Sequence, residues 1–400
     1  MTRPMRSVLF GLLLVCATLA YGTQAPKYIF LFIGDGMGFN HVEASQIYAE
    51  KVGTDTGERS LLFPTFPVMT QVCTRSASHL ITCSSAAATA LATGEKTTNY
   101  VIGMDAKKQH GLKSLARQLK GKGYKIGIIT SASIDHATPG GFYASQPDRS
   151  MYYEIGVDAA NSGFDFFGGA GLLQPRSKRN ASAPCLYDLF HQKGYTMYRG
   201  MDAYNRSHVK DKVLLFPTDT VSGSLKYALD RSEKDLGLPD LTKACLDNFT
   251  ETAKKGFFMM VEGGKIDWAA HAHDAATVVT ETIDFDQCIR LAYEFYKKHP
   301  DETLILVTAD HETGGLGLGN SDTNLNIELL KYQQCSQEAL TNAMRKMKTA
   351  KAVPSWGEMK SFLKKKLGFW KQITITPHEE LELLICYEQS FLKKKSKDIV

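Results

Sequence analysis

Asp35, His136, Glu262, Asp267, Asp310 and His311 fall where apolar runs stop, and His271 follows Asp267 by one helical turn. The runs themselves, Tyr28 to Ile33, Lys125 to Ile129, Phe257 to Val261 and Thr303 to Val307, read as buried parallel strands. Ligands of open α/β sheets bind beyond the carboxyl ends of the strands. Carboxylates and imidazoles are costly to bury, so a collection of them on that rim points to metal ions. Near a further strand end, Ser84-Ser85 inside a small-residue run offers a hydroxyl nucleophile. The chemistry this implies is metal-assisted hydrolysis of an anionic ester.

Each of these residues also has a plainer reading. Asp267 and His271, spaced i and i+4, share one side of a helix and suit one zinc ion, but equally an acid in a first helical turn and a surface histidine. Glu262-Gly263-Gly264 in front of them favours ligation. Asp310 and His311 are adjacent at a strand-to-loop junction, where both can reach one ion; Asp310 alone would pass for a helix cap. Asp35 follows five apolar residues, and capping would be served as well by Ser or Asn. Ser84 in isolation is an ordinary helix-start serine. Beside a zinc ion its hydroxyl would become a nucleophile near neutral pH. Arg149, ten residues after Pro139, carries a planar fork that grips two phosphate or sulfate oxygens, or else forms a surface ion pair.

The elements that must position these groups can be read in outline. Gly34-Asp35-Gly36-Met37-Gly38 is a sharp turn after a strand. The Ala-rich stretch from Ser84 to Leu91 starts a helix whose small side chains allow close packing. Residues 113–123 form an amphipathic helix. Between 151 and 255, Phe164 to Gly169 and Val213 to Phe216 look like strand ends among helical patterns, further α/β units of the same fold. A helix starts near Ile266, and from about Ile327 to Val400 the chain reads as helical, basic and amphipathic.

With 400 residues, 43% hydrophobic and 22% charged, the chain can bury a large core. Its net charge of +5 is spread thinly apart from Lys364-Lys365-Lys366 and Lys393-Lys394-Lys395, which read as solvated helix faces, not a nucleic-acid footprint. Arg3 and Arg6, the apolar stretch Val8 to Ala20 and Ala20-Tyr21-Gly22 form a signal peptide over residues 1–22, too short to span a bilayer comfortably. The expected product is an exported protein, periplasmic or secreted, without stable membrane association. Cys16 invites a lipoprotein reading that the bulky Val15 argues against. Without Cys16, seven of the eight cysteines remain and no Cys-x-x-Cys occurs, so cysteine-ligated zinc is not expected and disulfide pairing is not assignable.

Five stretches together resemble the alkaline phosphatases: Phe32 to Gly38, Ser84 to Gly94, His136-Ala137-Thr138-Pro139, Val261 to His271, and Thr308 to Glu312. They occur in the family's order between residues 28 and about 315. The resemblance implies a three-layer α/β sandwich, a large mostly parallel sheet flanked by helices, over residues 23–400. It implies phosphomonoester hydrolysis through a phosphorylated Ser84, two zinc ions and one magnesium ion. Asp35, Asp310 and His311 would hold one zinc, and Asp267 and His271 the other. Asp35, Thr138 and Glu262 would hold the magnesium, and Arg149 would clamp the phosphoryl oxygens. Small phosphomonoesters would be the substrates, and a homodimer is implied by resemblance alone.

Three departures from the family pattern stand out. Cys83 precedes the nucleophile where an aspartate is frequent, removing a carboxylate that would orient Arg149. His136 and Trp268 accompany the third metal site, where His136 would pull the preference from magnesium toward zinc. A His-Thr-Gly setting for a further ligand of the second zinc does not occur; His378, in Pro377-His378-Glu379-Glu380, reads as part of a helix start. The simplest expectation is a truncated chain. A phosphodiesterase of the same scaffold and a catalytically impaired metal binder are the alternatives. A sulfatase would need x-Pro-x-Arg after its nucleophile, which Cys83-Ser84-Ser85-Ala86-Ala87 lacks.

Overall fold

Alternation along the strands decides the layering. In β1 (Tyr28–Gly34), Phe30 and Phe32 join one buried cluster while Ile29, Leu31 and Ile33 join another. Successive strand side chains point to opposite faces, so a strand apolar at every position needs cover on both sides. The computed structural model describes residues 25–207, 211–219, 223–319, 324–349 and 353–392; the expected signal peptide at 1–22, Cys16 within it and the lysine run at 393–395 lie outside them.

Six further strands follow: β2 (Lys125–Thr130), β3 (Phe166–Gly168), β4 (Thr196–Arg199), β5 (Val213–Phe216), β6 (Phe257–Gly263) and β7 (Thr303–Ala309). They form one sheet in the order β4-β5-β3-β2-β6-β1-β7, and every pairing is parallel. Helices cover both faces, as the sequence predicts, and β3 to β5 extend the same sheet. Two findings differ from the sequence reading. β4 is an additional strand, short and half-buried, at one edge. At the other edge β7 is not fully buried: Leu304 and Leu306 are exposed on one face while Ile305 and Val307 pack inward on the other.

The helices that matter for the site are α1 (Phe39–Val52), α2 (Ser84–Thr93), α3 (Leu238–Thr252), α4 (Gly264–His271) and α5 (Ala275–Tyr296). The expected helix at 113–123 spans Leu115–Gly121, with the Ser114 hydroxyl accepting from the Arg117 N–H as its cap. α3 and α5 fill one core with Leu241, Cys245, Phe249, Phe285, Cys288 and Ile289 against the sheet. Phe285 is fully buried, stands edge-on to Phe32 at 6.0 Å, and lies under the β6–α4 junction at Gly263. Phe285→Ala is expected to cost about 3–5 kcal/mol, read as a lower denaturation midpoint; an unchanged midpoint would show that this packing does not hold the junction.

Beyond residue 325, α6 (Gln337–Thr349), α7 (Trp356–Leu367) and α8 (Pro377–Tyr387) form a satellite with its own small core of Met359, Leu363, Tyr387 and Phe391. Lys364 to Lys366 occupy the last turn of α7, where cations complement the helix dipole. Asp274 ties the satellite to the main body by accepting from the Gln333 side chain and the Gln337 N–H. Among the described residues no helix is long and apolar enough to cross a membrane, and all seven described cysteines are free.

Candidate metal centre and nucleophile

Parallel pairing brings the key residues together. Gly34 at the end of β1 is level with Ala309 at the end of β7, so Asp35 and Asp310 leave the sheet side by side. The Gly36 N–H donates to Asp310 Oδ1 at 3.0 Å, and the His311 N–H donates to the same oxygen at 2.8 Å. His311 Nε2 lies 3.5 Å from Asp35 Oδ1 and 3.4 Å from Asp310 Oδ2. One ligand atom from each of Asp35, Asp310 and His311 falls within 4.8 Å of the others.

Ser84 is the first residue of α2, and Cys83 is its N-cap. The Ser84 hydroxyl points into the cluster: Oγ is 3.5 Å from Asp35 Oδ1, to which it donates, and 3.3 Å from His311 Nε2. This proximity is what direct metal activation of the hydroxyl requires, and the positive end of the α2 dipole sits at the same point.

Asp267 in α4 faces the same centre. Gly36, at φ +67°, lets the β1 turn pass against it; a Cβ there would stand 2.8 Å from Asp267 Oδ1. The Thr313 hydroxyl donates to Asp267 Oδ1 at 2.6 Å, and His271 Nε2 lies 3.5 Å from that oxygen. His271 is otherwise open, with its side chain 71% exposed. Among the described residues no third ligand joins Asp267 and His271 into a cluster. His378 sits in the first turn of α8, its side chain 80% exposed and nearest to Glu382 at 3.9 Å.

Glu262 is fully buried near the end of β6, in register with Thr130 of β2, whose hydroxyl donates to Glu262 Oε2. His136 caps the short helix Ala137–Gly140 that carries Thr138, and its ring meets Trp268 of α4 edge-on at 5.8 Å. Arg149 is anchored through its backbone, its N–H donating to the Tyr100 carbonyl at 2.7 Å. The Cys83 thiol is held below its ordinary pKa: burial opposes the shift, but the Ser85 hydroxyl, the Tyr100 N–H and the charge of Arg149 outweigh it. Thr130 and Thr313, which hold Glu262 and Asp267, were not singled out by sequence; only their places at a strand end and after Asp310-His311 hint at them.

The unsatisfied atoms test whether cations fit. Asp35 Oδ2, Asp310 Oδ2, Glu262 Oε1, His136 Nδ1 and Thr138 Oγ1 are all buried without a hydrogen-bond partner. Such orphans are costly unless something else completes them. Burial, with mutual repulsion, pushes Asp35 far above the carboxylate range; burial likewise raises Asp310 and lifts Glu262 to about 7. Burial holds His136 neutral, down to about 3, leaving a lone pair for ligation. Oxygen-rich donors with one or two imidazoles suit zinc and magnesium.

The buried, unpartnered donors fit cations, and comparison with known proteins fixes the family. The alkaline phosphatase family model matches residues 26–165 and 186–368. Alkaline phosphatase 4 of Bacillus subtilis is 33% identical over 342 residues, covering 82% of this chain and 70% of that protein. The alkaline phosphatase of Schizosaccharomyces pombe is 29% identical, covering 79% and 61%. The cold-active alkaline phosphatase of Shewanella sp. superposes with a TM-score of 0.75 at 28% identity, covering 90% of this chain and 84% of that one. A variant of the alkaline phosphatase from the Antarctic bacterium TAB5, 28% identical with a TM-score of 0.63 and covering 76% and 83%, was solved with magnesium in its M3 site. The chain belongs to the alkaline phosphatase family. It spans about three fifths to two thirds of the length of most curated relatives it matches.

Proposed function

We propose that this chain hydrolyses phosphomonoesters of broad structure through a phosphorylated Ser84, releasing inorganic phosphate. The observation that carries the reading is the Ser84 hydroxyl standing within 3.5 Å of a buried Asp35–His311 pair whose neighbouring carboxylate oxygens lack partners. Asp35, Asp310 and His311 would hold one zinc ion, Asp267 and His271 a second, and Asp35, Thr138, Glu262 and His136 a magnesium ion that zinc can replace. Such cations lower the pKa of a nearby hydroxyl and offset charge on phosphoryl oxygens.

The chain's own groups supply the rest. The Ser84 proton faces Asp35 Oδ1, so the oxygen is free to attack phosphorus. A bond forms from Ser84 Oγ to phosphorus, the bond from phosphorus to the ester oxygen breaks, and the alcohol leaves with a proton from solvent. Water then attacks the phosphoserine, the Ser84 oxygen departs and regains its proton, and phosphate is released. Arg149 would grip the phosphoryl oxygens through its planar fork. The chemistry requires few contacts to the alcohol, which supports broad specificity. The leader at residues 1–22 supports export to the periplasm or medium, and small phosphomonoesters and a second copy of the chain are the proposed partners.

The test is release of inorganic phosphate by protein loaded with zinc and magnesium. An aryl phosphate monoester is expected to be cleaved far faster than the corresponding diester. A preference for the diester would assign phosphodiesterase activity instead. A second reading, a metal binder with crippled turnover, is favoured by one feature: Asp267 and His271 stand as a pair with His271 largely in solvent. One tightly held zinc with no turnover would support it.

A further inference from the structure

We propose that Thr313 is a positioning residue for the metal centre, its hydroxyl relaying a hydrogen bond from His311 to Asp267 so that each ion site sets the other; this rests on the metal-dependent reading above. The relay has a definite direction. The Thr313 hydroxyl has a single proton and donates it to Asp267 Oδ1 at 2.6 Å. Its oxygen lies 3.2 Å from His311 Nδ1, and the Glu312 carbonyl oxygen lies 3.2 Å from the same nitrogen. A carbonyl oxygen only accepts, and the hydroxyl proton is already given away, so both neighbours call for a proton on Nδ1. Nε2 then keeps the lone pair. That nitrogen is the one facing the cluster, 3.5 Å from Asp35 Oδ1, 3.4 Å from Asp310 Oδ2 and 3.3 Å from Ser84 Oγ. A ligating histidine ordinarily donates its other ring N–H in this way, which fixes the ring and makes the ligating nitrogen more basic.

Packing holds Thr313 where the relay needs it. The residue is buried, and the turn that follows is pressed against α4. Gly314, at φ +83°, comes so close that a Cβ would stand 2.4 Å from the Ala270 carbonyl oxygen, in the turn of α4 between Asp267 and His271. The Gly315 N–H donates to Glu312 Oε1 at 2.8 Å and closes the turn. On its other side Thr313 meets the β1 turn, where a Cβ on Gly36 would stand 2.9 Å from Thr313 Oγ1. Thr313 therefore touches the elements carrying Asp35, Asp267 and His311 at once. Its hydroxyl is a hydrogen-bonded link between the Asp35–Asp310–His311 cluster and the Asp267–His271 pair. Hydrogen bonds in series strengthen one another. The charge on Asp267 thus makes the Thr313 oxygen a better acceptor, which in turn makes His311 Nε2 a better ligand for a cation.

The zinc affinity of the protein, read by competition with a chromogenic chelator, tests this apart from turnover. Thr313→Val keeps the shape and removes the hydroxyl. It is expected to weaken the tightest zinc about 10- to 100-fold, the range for losing a partner of a metal-bound histidine. Thr313→Ser is expected to keep the wild-type affinity, and Thr313→Ala, which adds no bulk, replaces valine if that variant unfolds. The relay also predicts that Asp267→Asn weakens the same zinc, although Asp267 is not among its proposed ligands, and does so much less in the Thr313→Val background. Unchanged zinc affinity in Thr313→Val overturns the proposal, as does failure of Thr313→Ser to restore it, which would make the position a matter of shape. Equal losses from Asp267→Asn in both backgrounds also overturn it, because the two contacts would then act separately. If the wild type holds no zinc, the metal-dependent reading itself falls and takes the relay with it. That result is distinct from a wild type that holds zinc whether or not the hydroxyl is present.

Discussion

Ser84→Ala is expected to lower kcat on an aryl phosphate by about 10⁴- to 10⁶-fold, the range found when a covalent nucleophile is removed, while zinc content and the denaturation midpoint stay as in the wild type. The geometry separates the two effects. Among the described residues the Ser84 hydroxyl hydrogen-bonds to Asp35 and His311, and Cys83, not Ser84, occupies the cap position of α2. Alanine is the best helix former and Ser84 is the first helical residue, so the change costs the helix nothing. Asp35, Asp310 and His311 remain to hold a cation. Zinc content measured alongside steady-state rates, with thermal unfolding as a control, decides the matter. Turnover within tenfold of the wild type would remove Ser84 from the mechanism and leave a solvent nucleophile as the alternative. Loss of zinc together with activity would make Ser84 a structural member of the centre instead.

How much of this was legible without coordinates follows from what each residue's type signals. Asp35 and Asp310 were visible because each carboxylate stands at the end of an apolar run beside other ligand-type residues, where a metal ion accounts for them better than capping does. Their adjacency was not visible, since it comes from the parallel register that sets Gly34 level with Ala309. Strands β1 and β6 announced themselves by unbroken apolar runs, and α4 by the spacing of Asp267 and His271. β4 did not, because Thr196 to Arg199 is short and polar, and its place is fixed only by pairing with β5. β7 looked like its neighbours in composition, yet lies at an edge with Leu304 and Leu306 exposed, a property of strand order that no local pattern encodes. Thr130 escaped notice for the same reason: a threonine closing a strand is ordinary until the neighbouring strand sets Glu262 against it.

Stripping the metal is expected to destabilise the protein more at pH 8 than at pH 5.5, and this follows from the sign of the carboxylate shifts. In the metal-free fold Asp35, Asp310 and Glu262 have pKa values raised above those of the unfolded chain, Glu262 to about 7. A carboxyl group with a raised folded pKa holds more protons folded than unfolded, so stability is full below the ordinary carboxylate range and falls as pH rises through the folded value. At pH 8 the metal-free fold must therefore carry several buried, mutually repelling anions with unpaired oxygens. A bound cation removes that penalty, and protons compete with it at low pH, so zinc affinity should also drop on acidification. Calorimetric unfolding with and without chelator at the two pH values measures the gap. The expected result is a wide separation of midpoints at pH 8 that narrows at pH 5.5, with Asp310→Asn reducing both the gap and the tightly held zinc. A separation of midpoints that does not change with pH would mean that the cation is not held by these carboxylates, and the arrangement around Ser84 would lose its chemical rationale.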